Sequence, residues 1–223
     1  MIESVKRLQR IGGLKTRLTK SDQFDRAFSE LQIVSCFAKL GSNGDIEPPL
    51  GTKSLDLEVS LDGKRILFEV KGPTLFRKLK YSGGGFIPNR ARGKIYEEFV
   101  QHLSEVSRTE TRPIVIVLNI GRSEIDYDFI ADYLYGSLQF TWLVDKKTGK
   151  VADQGWTRAK DSLHEKGENL QELGPDIAVV CYKTIFGSDA KFHLQGTMFL
   201  NPTAQNPPTE TQSDMISKAL FGV

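Results

Sequence analysis

The apolar and polar positions of the chain divide it into elements of distinct period. From residue 22 to residue 41, Phe24, Ala27, Phe28, Leu31, Val34, Phe37 and Ala38 recur at helical spacing, which predicts a helix with one face in the core. Ser21 is placed to cap that helix, and Asp22 and Asp25 suit a first turn, where the helix dipole favours negative charge. Residues 43 to 52 read as a Gly/Pro-marked connection with room for a short strand near Ile46. The period then becomes two. Leu57, Val59, Ile66, Phe68 and Val70 fall on one side of a hairpin whose turn is Asp62-Gly63, a pair that tolerates the positive φ of a type I′ turn.

Residues 72 to 89, with Pro73, Gly83, Gly84, Gly85 and Pro88, read as a long loop, and Ile95, Phe99, His102, Leu103 and Val106 predict a helix over 91 to 107. Residues 113 to 119 are an almost unbroken β-branched run, the pattern of a central strand covered on both faces. A helix is expected from 125 to 135, ended by Gly136, and strands at 139 to 144, 176 to 182 and 193 to 200. The polar, mixed-charge segment from 146 to 174 has no readable period, and 201 to 213, rich in Pro, Thr, Gln and Asn, reads as a surface loop. These elements predict an α/β domain over 21 to 200, preceded by a basic extension at 1 to 20 and followed by a loop and tail at 201 to 223.

Composition adds limits. The 223 residues are 39% hydrophobic, enough for a sizeable core, while a net charge of +2 identifies no partner by itself. Cys36 and Cys181 lie in apolar stretches without metal-type spacing, which suits buried thiols in a reducing compartment. No stretch approaches the run of about 18 apolar residues that a membrane helix needs, so a cytoplasmic protein with no membrane partner is expected.

The hairpin carries the candidate chemistry. A two-residue turn at Asp62-Gly63 pairs Leu61 with Lys64, Val59 with Ile66 and Leu57 with Phe68; counting outward, Asp56 meets Glu69 and Ser54 meets Lys71. Directly opposed residues project to the same side with Cβ atoms about 4.5 to 5.5 Å apart, and like charges in that relation repel, so something should sit between the two acids. A hard divalent cation held by two carboxylates, with an amine beside it, is one explanation. The other is an ion-pair cluster in which Lys71 or Arg65 neutralises the acids, worth about 0.2 to 1 kcal/mol per pair. Glu58 shares the acidic side but opposes Leu67, one pair nearer the turn, and reads as peripheral.

Acid-x-Lys tripeptides also occur at Asp62, Asp145 and Asp189, in turn-like settings; only Glu69-Val70-Lys71 lies in an apolar strand facing a second acid. With this context, residues 21 to 120 resemble the PD-(D/E)XK nuclease superfamily, although Leu55 rather than proline precedes the first acid. The resemblance implies a restriction-endonuclease-like core, a central mixed β-sheet flanked by helices. It matches Asp56 to the first acid, Glu69 to the second and Lys71 to the lysine, and suggests Glu30 on the preceding helix as an additional acid. It further implies Mg²⁺, with Mn²⁺ as a substitute, held by Asp56, Glu69 and the Val70 carbonyl, and hydrolysis of nucleic-acid phosphodiesters as an endonuclease. DNA is the preferred substrate by resemblance alone, and a homodimer is left open.

Between Val70 and Tyr96 the basic residues Lys71, Arg77, Lys78, Lys80, Arg90, Arg92 and Lys94 occur without one Asp or Glu, and phosphates are their natural counterpart. Phe76, Tyr81 and Phe86 are interleaved with them, so this loop could contact bases or sugars too. Gln101 shares a helix face with Lys94 and could touch phosphate; a solvated face is the plainer alternative for both. Gly83-Gly84-Gly85 lacks the Lys-Ser/Thr continuation of a nucleotide-binding P-loop and reads as a hinge. Lys6, Arg7, Arg10, Lys15, Arg17 and Lys20 are either a second phosphate contact or a solubilising tail. The expectation is a Mg²⁺-dependent nuclease. The alternatives are an inactive nucleic-acid-binding module on the same scaffold, or a protein-interaction domain.

Overall fold

A computed structural model describes residues 12–50, 53–73, 110–121, 126–135, 138–158, 177–186, 188, 192–200 and 207–222. Its frame is set by the Asp62-Gly63 turn, where both residues take positive φ, 50° and 71°. That turn joins β4 (Leu57–Leu61) to β5 (Lys64–Lys71) in the anticipated register, Leu61 with Lys64, Val59 with Ile66 and Leu57 with Phe68. β1 (Gly44–Ile46) adds an antiparallel edge to β4, the short strand expected near Ile46. β6 (Ile114–Asn119) lies parallel to β5, fully buried, and β9 (Ile177–Phe186) lies parallel to β6, with β10 (Phe192–Phe199) antiparallel beside it. The result is a mixed α/β fold with a six-stranded sheet in the order β1-β4-β5-β6-β9-β10, flanked by helices.

One face of the sheet, with Leu57, Val59, Ile66, Phe68, Val70, Val115, Val117, Val180 and Tyr182, packs on α2 (Phe24–Lys39) and α4 (Glu210–Phe221), the helices supplying Ile33, Val34, Phe37, Ile216 and Leu220. The alternate residues, Glu58, Leu67, Glu69, Lys71, Ile114, Ile116, Leu118 and Cys181, fall on the opposite face by strand alternation. α3 (Tyr127–Tyr135) lies over that second face, since the Lys183 ammonium sits 5.8 Å from the Tyr127 ring centroid and Lys183 follows Cys181 by two. Between α3 and β9, the strands β7 (Leu138–Val144) and β8 (Val151–Arg158) pair in a separate two-stranded ribbon. β2 (Pro49–Leu50) and β3 (Lys53–Ser54) form another small pair.

The structure corrects several expectations. α2 starts at Phe24, after a turn over 21–23, and its N-cap Gln23 makes no side-chain cap; Ser21 does not cap it. Its buried face is rotated from the apolar stripe. Phe24 and Phe28 are exposed and stacked on each other with centroids 5.6 Å apart, while Ser29, Glu30 and Gln32 are buried. Polar side chains can occupy that inner position because each finds a hydrogen-bond partner.

Neither terminus is a plain extension or tail. α1 (Gly12–Leu18) inserts Leu14 into the core. α4 opens on a capping box, the Thr209 hydroxyl accepting from the Gln212 amide while the Gln212 side chain accepts from the Thr209 amide. Its end closes on Gly222 at φ 76°, and its apolar face completes the core. Ser54 pairs with Pro49 rather than with Lys71. Part of the segment left without an assignment, 151–158, is a strand. The helix expected over 91 to 107 lies outside the described residues. Among those described, no helix is long and apolar enough to cross a membrane.

Candidate active site

At Asp56 the β4 ladder stops and the chain bends. The Asp56 amide donates to the Phe68 carbonyl at 3.1 Å, and the Asp56 carbonyl accepts from the Glu47 amide at 3.0 Å. Asp56 therefore meets β5 through a bend, not as a further rung of the regular ladder. Its carboxylate turns along β5 and accepts the Val70 amide at 2.8 Å, a buried donor that needs an acceptor once β4 has left.

The two acids still share a partner. Nη2 of Arg26, from α2, lies 3.0 Å from Asp56 Oδ1 and 3.4 Å from Glu69 Oε1. The same guanidinium reaches Glu30 through Nε at 3.2 Å. Gly72 holds this arrangement close: a Cβ there would stand 2.9 Å from the Arg26 Cα, so β5 and α2 touch backbone to backbone at the site. Lys71 Nζ donates to Glu69 Oε1 at 2.8 Å. Beyond Glu30, Arg17 of α1 makes a bidentate pair with it, both contacts at 2.6 Å, and a third contact with Glu47 at 2.9 Å.

The three central acids are shielded: Glu30 is 2% exposed, Asp56 6% and Glu69 3%, whereas the Arg26 side chain is 43% exposed. Arg26 thus stands between the carboxylates and solvent. Burial, followed by the nearby Asp56 charge, pushes both Glu30 and Glu69 up to about 7, against the partial relief given by Arg17, Arg26 and Lys71. For Arg26 burial acts against the charge, but Asp56, Glu69 and Glu30 more than offset it and hold its pKa above the ordinary arginine value.

The donors fit a hard cation in kind, since carboxylates and a backbone carbonyl are the oxygen ligands such ions take. The fit in number is limited. Among the described residues no group of three His, Cys, Asp or Glu side chains converges as a ready ligand set. Glu30 is drawn toward Arg17, so the candidate set is Asp56, Glu69 and the Val70 carbonyl, with a cation already positioned between the two carboxylates in the form of Arg26.

Glu58, read as peripheral, lies apart, paired with Arg65 at 2.9 Å and with Arg112. Arg65 serves Glu58 and not the Asp56–Glu69 pair. Arg17 is engaged with Glu30 and Glu47, which corrects both alternatives given for it, a phosphate contact and a solubilising tail. The expected nucleic-acid contacts Arg77, Lys78, Lys80, Arg90, Arg92, Lys94 and Gln101 lie outside the described residues. A cavity of about 200 Å³ beside the site is lined by Asp25, Ser29, Gln32 and Asn119 among others, and none of the candidate acids lines it.

Sequence reasoning did not include Arg26 or Glu47 in the site, nor Arg17 as a partner for its acids. A signal existed for Arg26: it precedes Glu30 by four residues, the spacing of neighbours on one helix face. Arg17 and Glu47 come from α1 and the chain beyond β1, and no sequence spacing links them to Glu30.

The chain matches no described protein family and no curated protein. Among solved structures it is similar to Pyrococcus furiosus SfsA, in a structure with Ca²⁺, at 14% identity and a TM-score of 0.32. That likeness covers 76% of this chain and 60% of the SfsA chain, so the chain spans less than two thirds of that protein. The functional reading therefore stands on the chain's own residues.

Proposed function

We propose that the chain is a Mg²⁺-dependent phosphodiesterase acting on nucleic acid, DNA in the first instance, with its reactive centre at Asp56, Glu69 and Lys71. One observation carries the reading: two buried carboxylates, one from the bend before β4 and one from β5, converge on a single guanidinium nitrogen, with an ammonium 2.8 Å from one of them. Buried like charges are retained where a site uses them, since each raises the other's pKa and costs stability. The fold agrees with the resemblance in its central mixed sheet flanked by helices.

Asp56, Glu69 and the Val70 carbonyl would hold the ion. When bound it supplies Lewis acidity toward the phosphoryl oxygens and lowers the pKa of water. Lys71 orients the attacking water or offsets the charge that grows on the equatorial oxygens in the transition state. Asp56, anchored on the Val70 amide, keeps its carboxylate in place while Arg26 is displaced. Glu30, paired with Arg17, positions the helix that carries Arg26.

Cleavage of duplex and single-stranded DNA with Mg²⁺ or Mn²⁺, comparing wild type with Asp56→Ala, Glu69→Ala and Lys71→Ala, tests the assignment. Each variant is expected to lose at least about a hundredfold in rate, on the scale of removing one preorganised charge. Activity that survives all three excludes the site.

The second reading, an inactive nucleic-acid-binding scaffold, is favoured by the charge balance, because Arg17, Arg26 and Lys71 already neutralise the acids. It anticipates salt-sensitive binding without metal-dependent cleavage.

A further inference from the structure

The β7–β8 ribbon forms a sheet of its own, and its described side chains are exposed on both faces. An isolated two-stranded hairpin is marginal in water, and this one displays large apolar groups: Phe140 is 44% exposed and Trp156 67%. These two rings are cross-strand partners, packed edge to face at 5.3 Å, and Val144 and Val151 continue their side of the ribbon toward the tip. The tip turn from Asp145 to Lys150 carries Lys146, Lys147 and Lys150, all exposed. None of them pairs with a described carboxylate. The one acid in the turn, Asp145, is taken up by the backbone amides of Lys147 and Thr148 at 2.7 and 2.8 Å. Asp153 opposes Leu143 on the other side of the ribbon. One side therefore presents aromatic ring surface leading into an unbalanced positive tip.

We propose that this ribbon is an arm for single-stranded nucleic acid, in which Trp156 and Phe140 stack on unpaired bases while Lys146, Lys147 and Lys150 hold the phosphates of the same strand. Ring faces can stack only on bases that are not already stacked and paired, which selects single strands over duplex, and aromatic platforms joined to basic tracks are how such strands are held. From Phe140 to Val144 the strand rises about 13 Å, so ring and lysine contacts fall on neighbouring nucleotides. α3, which precedes the ribbon in the chain, lies over the sheet face that carries Glu69 and Lys71. The proposal rests on the nucleic-acid reading of that site and assigns it an unpaired substrate strand.

The chain's two tryptophans, Trp142 and Trp156, both belong to the ribbon strands, so intrinsic emission reports on the arm. Full-length protein is titrated in EDTA with a fluorescein-labelled oligo(dT) and with a duplex of equal length, reading polarisation and, with unlabelled strands, tryptophan emission. Quenching by the single strand is expected, with weaker binding of the duplex. The triple variant Lys146→Gln, Lys147→Gln, Lys150→Gln, altered only in an exposed turn, is expected to bind at least about tenfold more weakly. The slope of log K against log salt should fall by about 2, three phosphate contacts at about 0.7 each. Trp156→Ala is expected to lose most of the quenching.

Unchanged affinity and salt slope in the lysine variant, or binding without any change in emission, overturns the arm. So does light scattering that shows a dimer broken by Trp156→Lys with no response to oligonucleotide, which would give the apolar side to a second copy of the chain. Failure of the catalytic reading looks different: binding through the ribbon persists and Mg²⁺ brings no cleavage.

Discussion

Arg26 and Asp56 meet at 3.0 Å, and the same guanidinium nitrogen stands 3.4 Å from Glu69. A side chain thus stands between the two acids that would hold the proposed metal ion.

Arg26 and a metal should therefore compete. Arg26→Gln is expected to bind Mn²⁺ at least about tenfold more tightly by calorimetry, a gain of about 1.4 kcal/mol. Without metal it should be less stable by roughly 1 to 3 kcal/mol, less than the ~3 to 5 typical of a fully buried pair because Arg26 is 43% exposed. Weaker Mn²⁺ binding in the variant would mean that the guanidinium supports the site and does not block it.

Stability of the metal-free protein should depend on pH through Glu30 and Glu69. Their folded pKa values, about 7, lie above the ordinary glutamate value of 4.5, so the folded state holds more protons than the unfolded one between those limits. The stabilising contribution is complete below about 4.5 and is lost as pH rises through about 7. Urea titrations across this window are expected to show wild type losing stability with rising pH, and Glu69→Gln losing less. An equal slope in the two proteins would contradict the shift.

Arg17 and Glu30 form a unit that docks α1. Arg17→Met and Glu30→Gln should each destabilise by about 1 to 3 kcal/mol, because each takes from a shielded charge its closest partner. The double variant should be more stable than the sum of the two predicts, with a coupling of about 1 kcal/mol or more in denaturation experiments. Simple additivity would dissolve the pair as an energetic unit.

Glu58 is separated from the chemistry by its own arginines. Glu58→Gln is expected to lower stability by about 1 kcal/mol while leaving Mn²⁺ affinity and any cleavage rate unchanged. A loss of metal binding would bring Glu58 into the site.

Gly72 is tied to Arg26 by backbone contact. Gly72→Ala would place its Cβ 2.9 Å from the Arg26 Cα, so melting should show a loss of about 1 to 3 kcal/mol from forced separation of β5 and α2. Gly155→Ala, where nothing lies within 4 Å, serves as the neutral control.

The hairpin register, the buried central strand at 114–119 and the apolar side formed by Leu57, Val59, Ile66, Phe68 and Val70 were all legible in the chain, because local turn chemistry and a two-residue period dictate them. The C-terminal helix, expected as loop and tail, did carry a signal that went unread, the Thr209-to-Gln212 capping box followed by Met215, Ile216, Ala219 and Leu220. The Pro- and Asn-rich segment before it masked that signal.

The sequence by itself determined the hairpin register from Leu61–Lys64 to Leu57–Phe68, since a two-residue turn leaves the strands one alignment that buries their apolar side, and with it that Asp56 enters beside β5. Only the tertiary structure decided what balances the acids of the site. Arg26 comes from a helix and Arg17 from another, and their meeting with Glu30, Asp56 and Glu69 depends on how α1 and α2 pack on the sheet. It also decided that Glu30 and Ser29 turn inward while Phe24 and Phe28 face water. Burial on a helix follows the partners available at the packed surface, and apolar periodicity records only part of them.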